Sequence, residues 1–230
     1  MELTVENVFG LLLRSKLIPA AEARSMFQRW QTEAGDTATS LPHFLRWLVL
    51  RHYVTEYQAG LLARGHAEGF FLNQYKILDR LGKGRMAGVY KAVHQLGQVV
   101  AIKVLPPSRA KDPQYLGRFQ REARLASRLN HPNVVRVFQV GVSGDLHYIV
   151  MDCIEGDTLD EVLKRRGKLP PTEAVRIVFL ALLGLQHIHE QGMVHRDLKP
   201  ANLMLTPAPE PGPQETTLRS QVKILDIGLA

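Results

Sequence analysis

"VHRDLKPAN", residues 194–202, is the stretch on which the reading of the whole chain turns. It follows a long apolar segment of helical character and packs an acid, two cations and an amide into a few positions, with Pro200 stiffening the turn. Asp197 is of the type that accepts a hydroxyl proton, Lys199 can neutralise a phosphate, and Asn202 can ligate a hard cation through oxygen. His187 and His189 lie close in sequence and raise the question of zinc. No cysteine or carboxylate set completes such a site, so they read as helix-surface or core histidines.

Three further features lie on either side. Gly82-Lys83-Gly84 sits between two strand-like segments, where missing side chains let backbone amides approach phosphate. Taken alone it is equally a hairpin, and because a strand follows it, it does not fit a dinucleotide fingerprint. Lys103 lies inside "VVAIKVL", residues 99–105, where a buried ammonium requires an anionic partner. Glu122 on the next helical segment suits that role; the alternative is an edge-strand lysine reaching solvent. Asp226 in "VKILDIGLA", residues 222–230, follows a strand and lies downstream of Asn202, which makes it a second oxygen ligand for magnesium.

In order, "LGKGRMAGVY", "VAIK", Glu122, "HRDLKPAN" and "DIG" resemble the glycine-rich loop, strand lysine, helix glutamate, catalytic loop and metal motif of the eukaryotic-type Ser/Thr protein kinases, and more closely their bacterial members. The resemblance covers Tyr75 to Ala230. It implies an α+β, bilobal kinase-like fold: a five-stranded antiparallel N-lobe sheet with helix C, and a partial helical C-lobe over residues 75–230. A small helical module over residues 1–70 precedes it.

The resemblance also implies ATP and Mg²⁺ as cofactors and a protein Ser/Thr hydroxyl as acceptor. Leu81, Gly82, Lys83, Gly84, Val89 and Ala101 would surround the nucleotide, and Met151, Asp152 and Cys153 would form the hinge. Lys103 would hold the α- and β-phosphates and pair with Glu122. Asp197 would be the base, Lys199 would lie beside the transferred phosphoryl group, and Asn202 and Asp226 would hold the metal. "DLKPAN" is similar to the Ser/Thr-specific form of the loop, and Arg196 resembles that of kinases controlled by activation-loop phosphorylation. Ala87 stands where the family has its third glycine, Arg85 where bacterial relatives often have glycine, and Ile227 where it has phenylalanine. The competing expectations are a non-catalytic, nucleotide-binding pseudokinase, and an interaction protein whose working part is the helical module.

The chain closes four residues after Asp226, ahead of the family's activation segment, Ala-Pro-Glu motif and later helices. The expectation is a fragment or truncated copy of a kinase, in which the helix over 172–191 shows an apolar face to solvent.

Composition narrows the classes. The net charge is +7, but the basic residues are scattered, which does not favour nucleic acid. One cysteine rules out an internal disulfide and points to a reducing, cytoplasmic setting. The N-terminus lacks a signal-peptide pattern, and no uninterrupted apolar run reaches membrane-spanning length. Oligomeric state is not legible.

Periodicity gives the elements. Val5, Val8, Phe9 and Leu12 follow Thr4 at helical spacing. Pro19 opens a helix with Ala23, Met26, Phe27 and Trp30 on one face, "TEAGDTATS" reads as a polar loop, and Pro42 starts a third helix. Trp30 and Trp47 read as core residues of a small bundle. Thr55 and Gln58 have capping-box spacing ahead of Leu61 and Leu62. Beyond Tyr75 the strand-like segments include "NVVRVFQVGV", residues 133–142, and residues 207–221 read as a Pro-rich flexible loop.

Overall fold

The computed structural model describes residues 3–83, 88–207 and 221–225, apart from the side chains of Lys83 and Glu122. The Pro-rich segment expected to be a loop lies, from 208 to 220, outside the described residues. The chain divides into two compact units, one of Met1–Lys83 with Tyr90–Val99, the other of Gly84–Val89 with Val100–Ala230.

The first unit opens with four helices: α1 (Val5–Ser15), α2 (Ala20–Ala34), α3 (Leu41–Leu50) and α4 (Glu56–Ala63). Thr4 and Thr55 each close a reciprocal capping box, so two orphan donors at each helix start are met by side chains. Pro19 occupies the N-cap of α2, one residue ahead of the first helical position. The expected polar loop is shorter than its composition indicated. Thr32 to Ala34 continue α2, and Gly35–Thr37 form a 3₁₀ turn. The reason is Glu33, whose Oε2 accepts hydrogen bonds from Trp47 Nε1 and Arg51, each at 2.9 Å. Val8, Leu12, Met26, Phe44, Leu48 and Leu62 are fully buried together, and Trp30 joins them. Each such side chain stabilises the unit by about 1.5–3 kcal/mol relative to exposure. Trp47 is only partly buried against this core.

Three strands follow: β1 (Phe71–Leu72), β2 (Tyr75–Lys83) and β3 (Gly88–His94). The two-residue β1 pairs antiparallel with the start of β2, Leu72 opposite Tyr75. Sequence patterning gave no hint of it, since two residues carry no periodicity.

The second unit contains β4 (Val99–Val104), the short α5 (Pro107–Ala110), α6 (Pro113–Ala126), β5 (Val137–Ser143) and β6 (Leu146–Asp152). There β4, β6 and β5 lie side by side, antiparallel. With β2 and β3, these are the five strands the resemblance implied, and α6 falls between β4 and β5 as helix C should. After them come β7 (Asp157–Thr158), α7 (Leu159–Arg166), α8 (Pro171–Glu190), β8 (Leu203–Thr206) and β9 (Gln221–Ile224). A small sheet runs β7-β8-β9.

β5 begins at Val137 rather than at Asn133. Residues 133–135 bond to β9 instead: Asn133 Nδ2 donates to Val222 O at 2.8 Å, Ile224 N to Asn133 O at 2.8 Å, and Val135 N to Ile224 O at 2.9 Å. The apolar run is therefore split between two partners.

By length and composition alone α8 is long and apolar enough to cross a membrane. Its stripe of Ile177, Ala181, Gly184 and Ile188 is nonetheless buried in the core that holds Val134, Val222 and Ile224. Val175, Val178, Phe179 and Leu182 are exposed, as expected of this helix.

Gly156 joins the end of β6 to β7 with φ +153°, and a Cβ there would collide with the backbone carbonyl of Leu205 on β8. Replacing it with alanine should lower unfolding free energy by roughly 1–3 kcal/mol, with chemical denaturation as the measurement. An unchanged midpoint would mean that this crossing is loose.

Candidate active site

The residues that could carry chemistry lie on β4, at the end of β6 and in the segment leading into β8. On β4, Ala101 and Lys103 are two apart and so project to one face. Ala101 lies opposite Met151 and Lys103 opposite Ile149 on β6. Ala101, Met151 and Ile149 are buried in one core, with Val89 and Cys153 packed at its margin. Lys103 is itself buried. The hinge residues continue from this strand. Asp152 ends β6 with its N–H on Arg136 O at 2.9 Å, and Cys153 is half-buried beyond it. Of the loop residues, Leu81 and Gly82 lie at the end of β2, in the first unit; Lys83 closes that strand. Gly84 and Asp226 lie outside the described residues, as does the side chain of Glu122, whose backbone belongs to α6.

The catalytic-loop candidates converge. His195 is almost fully buried, and its Nε2 lies 2.9 Å from Leu225 O. Its Nδ1 accepts the N–H of Asp197 at 3.3 Å, which fixes the proton on Nε2 and makes that nitrogen the donor to Leu225. Asn202 Nδ2 donates to Asp197 O at 2.8 Å and to Asp197 Oδ2 at 3.1 Å. Both amide hydrogens are thus committed, and Oδ1 is left as the acceptor that a hard divalent cation needs. Lys199 Nζ donates to Asp197 Oδ2 at 2.6 Å. The Leu225 N–H returns to Asn202 O at 2.9 Å, so the residue immediately before Asp226 is tied to the catalytic loop at both its amide and its carbonyl.

This arrangement sets the charge of Asp197. The hydrogen bond from Lys199 holds its carboxyl below the usual range, helped by that from Asn202 and opposed by partial desolvation. It is ionised at neutral pH and able to accept a proton from a hydroxyl held against it.

Sequence reading missed three supporting residues. His195 is the anchor of the loop, Asn133 fastens β9, and Leu203, next to Asn202, is buried in the core that contains Ala101 and Met151. His195 lay within the quoted motif and could have been assigned; a strand leucine has no signal of its own. His187 stacks on His131 at 5.2 Å, and no metal-binding cluster occurs among the described residues.

The family model for the protein kinase domain matches residues 75–230. The chain belongs to the protein kinase family. It is 38% identical over 163 residues to the serine/threonine-protein kinase PknB of Mycobacterium leprae, covering 69% of this chain and 24% of that protein. It is likewise 38% identical over 158 residues to the kinase PrkC of Bacillus subtilis, covering 68% of this chain and 23% of the relative. The chain thus spans about a quarter of the length of these curated relatives. Among solved structures, the kinase domain of Mycobacterium tuberculosis PknI aligns with a TM-score of 0.59 and 31% identity, over 70% of this chain and 62% of that one. Rad53 residues 1–466, solved in complex with AMP-PNP, aligns with a TM-score of 0.56 and 28% identity, over 68% of this chain and 38% of that one. Kinases of this family work on ATP with a divalent cation, and the buried Lys103 and the oriented Asn202 oxygen suit those groups.

Because Lys199 is the main cause of the depressed Asp197 pKa, Lys199→Met should move the Asp197 carboxyl titration upward, toward the ordinary range. The sign follows from linkage. A lowered folded-state pKa contributes stability that is present at neutral pH and is lost as pH falls through that value. Carboxyl ¹³C NMR reads the shift directly; an unmoved Asp197 resonance would remove Lys199 as its cause.

Proposed function

We propose that this chain carries the nucleotide-binding and phosphoryl-transfer centre of a Ser/Thr protein kinase that uses ATP and Mg²⁺ and acts on protein hydroxyls. The observation that carries the reading is the Asp197–Lys199–Asn202 network suspended from His195. It presents an ionised acceptor, a cation and a committed amide at one point. When bound, Mg²⁺ neutralises and aligns the phosphates; Asn202 Oδ1 would hold it together with Asp226.

The chain's own residues do the rest. Lys103 holds the α- and β-phosphates, and Glu122 is assigned as its partner. Leu81, Gly82, Lys83, Gly84, Val89 and Ala101 enclose the nucleotide, and the backbone of Met151, Asp152 and Cys153 holds the adenine. Asp197 orients the acceptor hydroxyl and takes its proton as the oxygen bonds to the γ-phosphorus and ADP leaves. Lys199 offsets charge on the transferred group. Such a reaction depends on alignment and charge neutralisation more than on covalent help from protein. The lone thiol at Cys153 accords with a reducing, cytoplasmic setting.

The test is transfer of radiolabelled γ-phosphate to a Ser/Thr protein substrate by the protein that contains this chain. Asp197→Asn should slow transfer by roughly 10²–10⁴-fold. Lys103→Met should abolish it while the thermal melt is retained. A folded Lys103→Met variant with unaltered rate would overturn the assignment of that lysine and with it the reading of the nucleotide site.

A further inference from the structure

The helical segment before the kinase match is tied to β2 by hydrogen bonds, and the ties come from side chains already engaged elsewhere. Gln58, only 1% exposed, accepts the Thr55 N–H on Oε1 at 3.0 Å and donates from Nε2 to Ile77 O at 2.6 Å. Thr55 Oγ1 accepts the Gln58 N–H at 3.2 Å and donates to Leu78 O at 2.6 Å. Each side chain therefore caps α4 with one function and holds the strand with another. Ile77 N–H donates to Phe70 O at 2.8 Å, so both main-chain groups of Ile77 are met by residues ahead of β2. Lys76 Nζ adds a bond to Leu17 O at 3.0 Å, and the Tyr57 ring lies 6.3 Å from that of Tyr90 on β3.

A cap alone does not require this. A capping box is satisfied by oxygens, and the donors of Thr55 and Gln58 are surplus to it. They are spent on consecutive carbonyls of one strand. Leu81, Gly82 and Lys83, assigned above to the nucleotide, are the last three residues of that strand. An open cleft of about 480 Å³, lined in part by Thr55, Gln58, Lys76 and Leu78, reaches this join from solvent. Polar ties therefore stand at the join where apolar packing is incomplete.

We propose that Thr55 and Gln58 are positioning residues for nucleotide binding. The helical module clamps β2 and so fixes the strand end that closes on the phosphates. The inference rests on the kinase reading. It differs from a purely structural role in predicting that loss of the clamp weakens nucleotide binding in a protein that is still folded.

The substitutions that separate clamp from cap keep an oxygen and remove a donor. Gln58→Glu and Thr55→Asp both retain the capping acceptor and lose the bond to β2, whereas Thr55→Ser retains both. Thr55 is only partly buried, so Thr55→Asp carries the test where Gln58→Glu does not fold. Binding of AMP-PNP with Mg²⁺ to the full chain is measured by calorimetry, alongside amide hydrogen exchange across Ile77 to Gly82. The clamp variants are expected to raise Kd about three- to tenfold, the worth of one or two hydrogen bonds, and to speed exchange in β2. Thr55→Ser should match the unsubstituted chain. A folded Thr55→Asp variant with unchanged Kd overturns the proposal, whatever its exchange. An unsubstituted chain that binds no nucleotide overturns the kinase reading itself, and the clamp falls with it; that outcome is visible before any variant is made.

Discussion

The site depends on the burial of His195 between two strands of polypeptide. Its ring accepts the Asp197 amide on one nitrogen and donates to the Leu225 carbonyl with the other, so one side chain sets the catalytic loop against the end of β9. Between His195 and Asp197 the backbone makes a left-handed turn at Arg196, φ +64°. A non-glycine residue in that region costs on the order of 1–2 kcal/mol. The turn persists because the Asp197 N–H finds both the His195 carbonyl, at 2.9 Å, and its Nδ1. The strain aims the carboxylate, and the buried imidazole holds the strain.

From that anchor the chemistry follows by commitment of hydrogen bonds. Asn202 cannot turn its amide around without abandoning Asp197, so its oxygen faces the other way. Lys199 keeps Asp197 ionised, and the resulting pair is more than a third exposed on both sides. An exposed ion pair of this kind contributes little to stability. Under the function proposed above, its value is to poise charge for a phosphoryl group and a hydroxyl. The fold supplies support at a distance: Asn133 takes one hydrogen bond from β9 and gives one to it, and β9 in turn leads into Leu225.

Much of this was legible because the informative residues are chemically unusual for their surroundings. A lysine in an apolar strand and an acid, cation and amide within six residues demand explanation; Lys103, Asp197, Lys199 and Asn202 stood out for that reason. The capping boxes at Thr4 and Thr55 were legible because helix starts have local rules. What the sequence hid was long-range. Residues 133–135 have strand composition, yet Asn133 and Val135 find main-chain partners some ninety residues away on β9, and periodicity contains no record of partners. Leu203 is an ordinary strand leucine until folding buries it in the core that also holds Ala101. β1 is too short to have a pattern.

Gln58 shows how local legibility and long-range function meet in one side chain. Its spacing from Thr55 announced a helix start, and that reading used only its oxygen. The nitrogen was left over, and a buried amide nitrogen must be satisfied or costs about 1–3 kcal/mol. Sequence gives the obligation without the partner; the fold answers it with Ile77 O on β2. The helical module is therefore more than an appendage that happens to precede a kinase. Thr55 and Gln58 meet the Leu78 and Ile77 carbonyls of the strand that opens the kinase match, and the buried Gln58 nitrogen is satisfied there in return.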